Sequence, residues 1–301
     1  MSNEKQQSRR DWMAAAGAAW GAAMLTASAA KAADGTWPPI TAYPTGRSTP
    51  GRWVWGDLFV DDVAGAQRFY GAVFGWRFDR TDALDGRYIL AHAGDELVAG
   101  LVAVTVPTAR ARGSHWLPFM SVTDPAAAAR AASSGGGRVL LAPQRLVGRG
   151  DVAVLADPEG TAFGVMRPEG GEADDYLAEL NEWVWLELWA HDAPRAVSFL
   201  QQLAGYTVES HVGPAGELHT QLVAQGHARA SVRQTPFPTL PAAWIPFVRV
   251  ADAAAAAARV LGAGGRVAVS PQPQLLDGRV AVFIDPGGAP IGVLVPSEGA
   301  T

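Results

Sequence analysis

The stretch WVWGDLFVDDVAGAQRFYGAVFGW at residues 53–76 returns in altered form as WVWLELWAHDAPRAVSFLQQLAGY at residues 183–206. The two copies begin 130 residues apart and keep an acid at the same place, Asp57 in the first and Glu187 in the second. They also share the residue pairs Trp53/Trp183, Val54/Val184, Trp55/Trp185, Leu58/Leu188, Asp62/Asp192, Ala66/Ala196, Phe69/Phe199 and Gly75/Gly205. The chain therefore contains an internal duplication.

A second pair of matching stretches divides each copy further. WLPFMSVTD at 116–124 matches WIPFVRVAD at 244–252, and both end, like the opening stretch, in an aspartate. An aspartate suits the corner between a strand and a helix, because its carboxylate accepts hydrogen bonds from the free N–H groups of the first helical turn. Four equivalent corners are predicted, at Asp62, Asp124, Asp192 and Asp252. Each opens an alanine-rich run that closes on glycine, as helices do.

Three short β-type runs follow each predicted helix. In the first unit they are 76–82, 87–93 and 97–105, and in the second 138–147, 152–156 and 161–167. The turn DPEG at 157–160 joins the last two runs of the second unit, and DPGG at 285–288 does so in the fourth. Each unit therefore reads as strand, helix and three strands. The predicted fold class is α+β, with four βαβββ units paired into two tandem modules.

This order, with V-x-D before the helix, FY…FGW at its end and DPEGTAFGV near the end of the module, resembles the vicinal oxygen chelate superfamily. That superfamily includes glyoxalases, bleomycin-resistance proteins and extradiol dioxygenases. The resemblance covers two modules, 52–168 and 182–296, separated by a linker at 169–181. It implies that the two units of a module curl their sheets around one cleft, giving two clefts per chain.

Strand alternation predicts which side chains face each cleft. In the first copy Trp55, Asp57 and Phe59 lie on one face, opposite the small and aliphatic residues that suit packing against the helix. In the second copy the corresponding residues are Trp185, Glu187 and Trp189. Each predicted cleft therefore has a carboxylate between two aromatic rings on its floor.

A carboxylate between rings admits three interpretations. It can hold a cationic or hydrogen-bond-donating ligand together with the rings. It can lose solvation, so that its pKa rises and it acts as a general acid or base. It can also pair with an arginine or a backbone donor and serve the structure alone. The duplication does not decide among them, because a structural pair would be copied as well.

The resemblance also implies where metal ligands would stand, on the first and last strands of a unit. Those positions are occupied here by Trp55, Leu117, Trp185, Ile245, Gly164 and Gly292, none of which binds a metal ion. The six histidines show no ligand spacing. Two of them, His92 and His219, fall in predicted third strands from which they could reach a cleft. We therefore expect no metal and no other cofactor, with His92 and His219 as additional ligand-binding candidates.

Composition limits the partners. The chain has 301 residues, 49% of them hydrophobic, which is enough for two domains with their own cores. Its net charge of −5 and the lack of a basic cluster argue against binding to nucleic acid or to anionic lipid. The absence of cysteine excludes disulfides and thiolate chemistry. A small-molecule ligand or another protein is the expected partner.

The N-terminal region is typical of an export signal. Two arginines in SRRDWM at 8–13 precede a charge-free, alanine-rich stretch that ends in AKA at 30–32. This resembles a twin-arginine signal peptide, so we expect residues 1–32 to be cleaved and the mature protein to be periplasmic or secreted, without a membrane span. An uncleaved anchor is the alternative. Residues 33–51, rich in proline and glycine, are predicted to be a linker.

The sequence predicts an exported, metal-free protein that binds a small, partly aromatic or cationic molecule in one or both clefts. The alternative is an enzyme, such as a lyase, isomerase or hydrolase, that uses Asp57 or Glu187 as general base or holds a metal at an unusual site. A scaffold with degenerate pockets is a third possibility. One chain carries both modules, so either a monomer with an internal pseudo-dimer or a homodimer is compatible with the pattern.

Overall fold

The computed structural model describes residues 36–105, 113–212 and 218–297. The predicted signal peptide at 1–32 lies outside the described residues. Within these residues, the first module contains two helices and eight strands. Its first half consists of β1 Trp53–Val60, α1 Val63–Phe74, β2 Arg77–Arg80, β3 Tyr88–Ala93 and β4 Glu96–Ala103, and its second half of β5 Ser114–Ser121, α2 Pro125–Ser134, β6 Arg138–Leu146, β7 Gly150–Ala156 and β8 Ala162–Pro168.

The second module repeats this order. Its first half consists of β9 Trp183–Ala190, α3 Ala193–Ala204, β10 Thr207–Val212, β11 Leu218–Ala224 and β12 His227–Gln234. Its second half consists of β13 Ala243–Arg249, α4 Ala253–Gly262, β14 Arg266–Val269, β15 Val280–Ile284 and β16 Pro290–Leu294. A single 3₁₀ turn, Leu276–Gly278, precedes β15. The four βαβββ units predicted from the repeats are thus confirmed.

Each module forms one eight-stranded sheet. The strand order is β2-β3-β4-β1-β5-β8-β7-β6 in the first module and β10-β11-β12-β9-β13-β16-β15-β14 in the second. The first strands of the two units lie at the centre and pair antiparallel, as Asp57 does with Leu117 and Glu187 with Ile245. Within each unit the first strand pairs parallel with the last. The two units of a module therefore share one curved sheet.

Four aspartates begin the four helices, as predicted. The Asp62 carboxylate accepts a hydrogen bond from the Gly65 N–H at 2.8 Å, and Asp192 accepts one from the Arg195 N–H at 3.1 Å. Asp124 and Asp252 accept equivalent bonds in the other two units. Helices α1 and α3 end on Gly75 and Gly205, both with φ of 70°, a backbone conformation that glycine adopts without a steric penalty.

The helices pack across the boundary between the modules. Helix α1 contacts α4, and α2 contacts α3. The buried residues of the first unit accordingly form one cluster with those of the fourth, and those of the second unit form another with those of the third. Two further clusters line the opposite, cleft side of the two sheets. Each helix thus lies between its own sheet and a helix of the other module.

The segments predicted to be linkers contain no helix or strand where the structure describes them. They nevertheless contribute buried side chains, including Trp37 and Ile40 before the first module and Glu172 between the modules. The segment at 36–51 is therefore packed against the protein rather than extended away from it. No helix within the described ranges is long and apolar enough to cross a membrane.

Candidate functional site

A small cavity lies on the cleft face of the first module. Alternation along β1 directs Trp55, Asp57 and Phe59 into it, as predicted. Its volume is about 60 Å³, room for a few water molecules. Its other walls are mostly aliphatic and aromatic: Trp37, Leu84, Val102, Leu117, Phe119, Leu141, Gln144, Leu146, Arg149, Val152, Val154 and Met166.

Asp57 is buried at the polar end of this cavity. Its Oδ1 accepts hydrogen bonds from the Trp55 indole N–H at 2.7 Å and from the Tyr88 hydroxyl at 2.6 Å. Burial raises the pKa of Asp57, and the nearby Arg149 charge and these two hydrogen bonds oppose that rise. Gly100 permits the arrangement, because a Cβ there would come within 2.3 Å of the Asp57 Oδ1 and 2.0 Å of the Tyr88 oxygen.

Arg149 occupies the space between the rings. Its guanidinium carbon lies 5.5, 5.1 and 4.9 Å from the ring centres of Trp37, Trp55 and Tyr88. Nη1 donates to the Tyr88 oxygen at 2.7 Å and lies 3.8 Å from Asp57 Oδ1. Nε donates to the Pro38 carbonyl at 3.0 Å.

One donor of Arg149 is left over. Its Nη2 is buried and has no hydrogen-bond partner among the described residues, although the side chain is only 3% exposed. A buried donor without an acceptor costs about 1–3 kcal/mol, and more when it is charged. An acceptor placed in the cavity by a ligand or a water would remove that cost.

The positions at which the resemblance implies metal ligands do not suit a metal ion. Phe119 covers Gly164 so closely that a Cβ at residue 164 would lie 2.1 Å from its ring. Phe247 covers Gly292 in the same way, with 2.3 Å to the corresponding Cβ. Two phenyl rings therefore fill the space from which last-strand ligands would project. Within the described ranges, no group of three histidine or acidic side chains converges as a metal site requires.

The second cleft has a similar floor but different partners. Glu187 Oε2 accepts a hydrogen bond from the Trp189 indole N–H at 2.6 Å, and Oε1 accepts one from the Ser231 hydroxyl at 3.0 Å. His219 Nδ1 lies 3.5 Å from Oε1. Burial acts to raise the pKa of Glu187, but the interactions with His219, Trp189 and the charge of Arg233 outweigh it, and the net direction is downward. Glu187 is therefore held in its ionised form.

The sheet register shows which groups replace one another. His219 stands opposite Arg233, and Arg233 opposite Trp189, so His219 holds the place that Tyr88 holds in the first module. Ser231 pairs with Glu187 as Gly100 pairs with Asp57. Aligning the DPEG and DPGG turns puts Asp277 at the position of Arg149. The second cleft therefore has no counterpart of Arg149 at the equivalent position, and the arginine whose charge acts on Glu187 is Arg233, on β12.

The predicted site residues are not all brought together. Trp55, Asp57 and Phe59 line the first cavity, and Trp189, Glu187 and His219 lie together in the second cleft. Trp185 donates to the Ser231 hydroxyl at 2.9 Å. His92 is not among the residues that line the first cavity, and its Nε2 lies 3.0 Å from Asp79 on the edge strand β2.

Trp37, Tyr88 and Arg149 were not predicted. Tyr88 is the second residue of the predicted strand at 87–93, and alternation places it on the cleft face, so a signal for it existed in the sequence. Trp37 lies in a stretch without any periodic pattern. Arg149 lies in a short turn before β7, where alternation says nothing about direction. Its position differs between the repeats, so the duplication gave no hint of it either.

Two βαβββ units sharing a sheet around a cleft, repeated in tandem, define the vicinal oxygen chelate fold. In agreement, residues 53–166 match the family model described as "Glyoxalase-like domain". The match covers nearly all of the first module, and the second module has the same strand order.

Whole-chain relatives are consistent with this assignment. The chain is 29% identical to "Putative glyoxylase CFP32" of Mycobacterium tuberculosis over 245 residues, covering 81% of this chain and 94% of the relative. It is 27% identical to "Anthracycline biosynthesis protein DnrV" of Streptomyces peucetius over 277 residues, covering 84% and 96%. Both relatives are thus matched nearly from end to end.

Solved structures share the fold at lower identity. The Mn(II)-bound glyoxalase from Novosphingobium aromaticivorans superposes with a TM-score of 0.57 at 17% identity, covering 84% of each chain. Homoprotocatechuate 2,3-dioxygenase from B. fuscum, in complex with HPCA, gives 0.58 at 16% identity, covering 85% of this chain and 74% of that one. These likenesses concern the fold.

Proposed function

We propose that this chain is an exported, metal-free binding protein of the glyoxalase-like type, whose first cleft takes a small molecule through an oxygen acceptor. The observation that carries the proposal is the buried, unpartnered Nη2 of Arg149 beside an apolar cavity. A guanidinium offers donors in a planar fork that fits carboxylate and carbonyl oxygens. The apolar walls would hold the rest of the ligand.

The charges around the first cleft limit the class of ligand that it can bind. Asp57 and Arg149 form an opposite pair, and Arg149 already fills the place between the rings that a cationic ligand would need. A neutral carbonyl compound or an anion is therefore favoured there over a cation. In the second cleft Glu187 is held ionised near Trp185 and Trp189, and a cationic ligand there would share it with Arg233 and His219.

The volume of the first cavity limits the size of the ligand. A volume of about 60 Å³ is well below the range of about 300–1,000 Å³ that drug-sized ligands occupy. The first cleft as it stands admits a fragment of a few heavy atoms, and an aromatic ligand requires displacement of wall side chains such as Leu141. Two relatives are named for the biosynthesis of anthracyclines, which are aromatic compounds, and this supports including aromatic acids among the probes.

A calorimetric titration tests the proposal. The probes are acetate, butyrate and benzoate, with butylammonium as the matched cation. We expect at least one carboxylate to bind. Arg149→Lys keeps the charge but loses the planar fork, so we expect it to weaken the affinity for that carboxylate by about tenfold or more. Arg145→Lys, at an exposed position near the end of β6, is the control. Equal binding to wild type and Arg149→Lys, or no binding of any carboxylate, contradicts the proposal.

Export and metal content are tested separately. Replacing Arg9 and Arg10 with lysine is expected to retain the protein in the cytoplasm, as shown by cell fractionation, because twin-arginine signals are read through that pair. Metal analysis of protein recovered from the export route is expected to show less than stoichiometric metal. One bound metal ion per chain would overturn the metal-free part of the proposal.

The second candidate is an enzyme that uses Asp57 as general acid or base. The observation in its favour is the raised pKa of Asp57 in a cavity, a feature that active-site acids share. NMR spectra of a small dicarbonyl compound incubated with the protein would reveal turnover. Conversion that is lost in Asp57→Asn but kept in Asp61→Asn would establish the enzyme and replace the binding proposal.

A further inference from the structure

A much larger cavity lies between the two modules. Its volume is about 490 Å³, within the range of about 300–1,000 Å³ for sites of drug-sized ligands. The beginnings of β1 and β9 form its two walls, and the segment that joins the modules lines it as well. This cavity is distinct from the first cleft, although Trp55 contributes to the lining of both.

Tryptophans from the two repeats face this cavity from both sides. Trp53 and Trp183 hold equivalent positions at the start of β1 and β9. Trp183 packs against Trp76 and Trp116 at ring-centre distances of 5.4 and 5.1 Å, and Trp53 packs against Trp244 at 4.5 Å. The rings are therefore held in place by packing, and they offer rigid aromatic walls to an occupant.

Acidic side chains outnumber arginines in the lining of this cavity. Both arginines of the lining are bound to one acid: Arg52 Nε lies 3.1 Å from Asp175, and Arg229 donates to both Asp175 oxygens at 2.9 Å. Three further glutamates line the cavity, namely Glu96, Glu172 and Glu182. His227 also lines it, close enough to Asp175 to stabilise its charge.

The remaining glutamates are compensated weakly or not at all. Glu172 is 2% exposed, its Oε2 accepts no hydrogen bond, and Arg52 Nη1 is 3.8 Å from that oxygen. Glu182 is 5% exposed, its Oε2 accepts a backbone N–H at 2.9 Å, and no cation of the described residues pairs with it. Burial and the charges of Glu182 and Asp95 raise the pKa of Glu96. Buried acids without countercharges are costly, and a cation in the cavity would remove that cost.

We propose that the cavity between the modules is a second binding site, which takes an organic ammonium ion with an apolar body. The ammonium group would lie near Glu182 and Glu96, which both line the cavity, and donate to their oxygens. The apolar body would lie against Trp53 and Trp183, whose ring faces also attract cations. The site differs from the first cleft in place and in the charge of its ligand, so it does not rest on the proposed function.

The test uses phenethylammonium as the probe and 2-phenylethanol as its neutral match, measured by calorimetry and by quenching of tryptophan fluorescence. We expect the cation to bind at least about tenfold more tightly than the alcohol, since only the cation compensates the acids. Glu182→Gln and Glu96→Gln keep the size of the side chain but remove its charge. Each is expected to lower the affinity for the cation by about three- to tenfold. Glu179→Gln, an exposed glutamate in the same segment, is the control and leaves binding within about twofold.

Two outcomes would overturn the proposal. One is equal affinity for the cation and the alcohol. The other is cation binding that neither Glu182→Gln nor Glu96→Gln weakens relative to Glu179→Gln. Glu96 is more exposed than Glu182, so its variant still tests the site if the buried one fails to fold.

Discussion

At the scale of single residues, Asp57 and Arg149 are buried together, and each is the nearest countercharge of the other. We expect Arg149→Met to lower the free energy of unfolding at pH 7.5 by about 3–5 kcal/mol, because it leaves Asp57 buried and unpaired. Without Arg149 the pKa of Asp57 rises further. The deficit relative to wild type should therefore shrink as the pH falls and Asp57 takes up a proton. Urea denaturation at pH 7.5 and 5.0 measures both effects.

The controls for this pair separate charge from volume. Arg145→Met removes an exposed arginine and is expected to change the unfolding free energy by less than about 0.5 kcal/mol. The double variant Asp57→Asn/Arg149→Met should lose less than the sum of the single variants, because neither charge is then stranded. Additive losses, or a deficit in Arg149→Met that is independent of pH, would contradict a coupled pair.

Glu187 should behave in the opposite way to Asp57. Its pKa is lowered in the folded state despite burial. Its ionised form therefore stabilises the fold at pH values above the ordinary pKa range of glutamate. That contribution should be lost as the pH falls through this range. We therefore expect the stability of wild type to exceed that of Glu187→Gln near neutral pH by roughly 1 kcal/mol or more, and the gap to narrow below about pH 4. Chemical denaturation across pH 3.5–7.5 checks it, and a constant gap would contradict it.

The carboxylate floors of both clefts could be predicted from the sequence, because alternation along a strand fixes the side to which Asp57 and Glu187 point. Their partners could not. Arg149 reaches Asp57 from a turn before a strand of the other unit, 92 residues further along the chain, and nothing local to either residue encodes that meeting. Pairing with an arginine was one of the interpretations left open for Asp57, but the sequence did not show that Arg149 is the partner.

At the scale of elements, each helix depends on its aspartate cap. Asp62→Ala should lower the free energy of unfolding by about 1 kcal/mol, because it removes the acceptor for the Gly65 N–H at the start of α1. The neighbouring exposed Asp61 offers a matched control, and Asp61→Ala should have little effect. Urea denaturation of both variants measures the difference. Equal stabilities would show that the cap contributes nothing.

Strand and helix positions followed from the sequence to within a few residues. The predicted runs at 87–93 and 138–147 are observed as Tyr88–Ala93 and Arg138–Leu146. Repetition made this possible, because caps and turns recur in step and each unit supports the assignment of the others. Residues 36–51 lack any such pattern, so the burial of Trp37 against the first cavity had no signal in the sequence.

At the scale of the whole molecule, the modules are joined by crossed helix packing. Gly265, just after α4, shows how tight this contact is, since a Cβ there would come within 2.7 Å of the Phe69 ring in the other module and 2.8 Å of Val260. Gly265→Ala should therefore cost about 1–3 kcal/mol through overpacking. Gly262→Ala, at the end of α4 with nothing within 4 Å of its added Cβ, should be neutral or stabilising by up to about 1 kcal/mol.

Thermal unfolding followed by circular dichroism distinguishes these two glycine variants. A single transition that shifts downward for Gly265→Ala alone would show that both modules unfold together. Two separate transitions, or equal shifts for the two variants, would contradict a shared core. The sequence predicted paired units in tandem, but it held no information about which helix meets which, because all four helices carry similar apolar faces.

The crossed helices also bear on how a duplicated chain acquires new specificity. The surfaces that fold the protein lie on one side of each sheet, and the clefts lie on the other. A substitution that fills or reshapes one cleft consequently leaves intact the helix packing that joins the two modules. Tyrosine and arginine thus surround the acid of one cleft, whereas histidine and serine lie beside the acid of the other. Natural selection can change the specificity of each cleft independently, as it does for proteins encoded by separate genes.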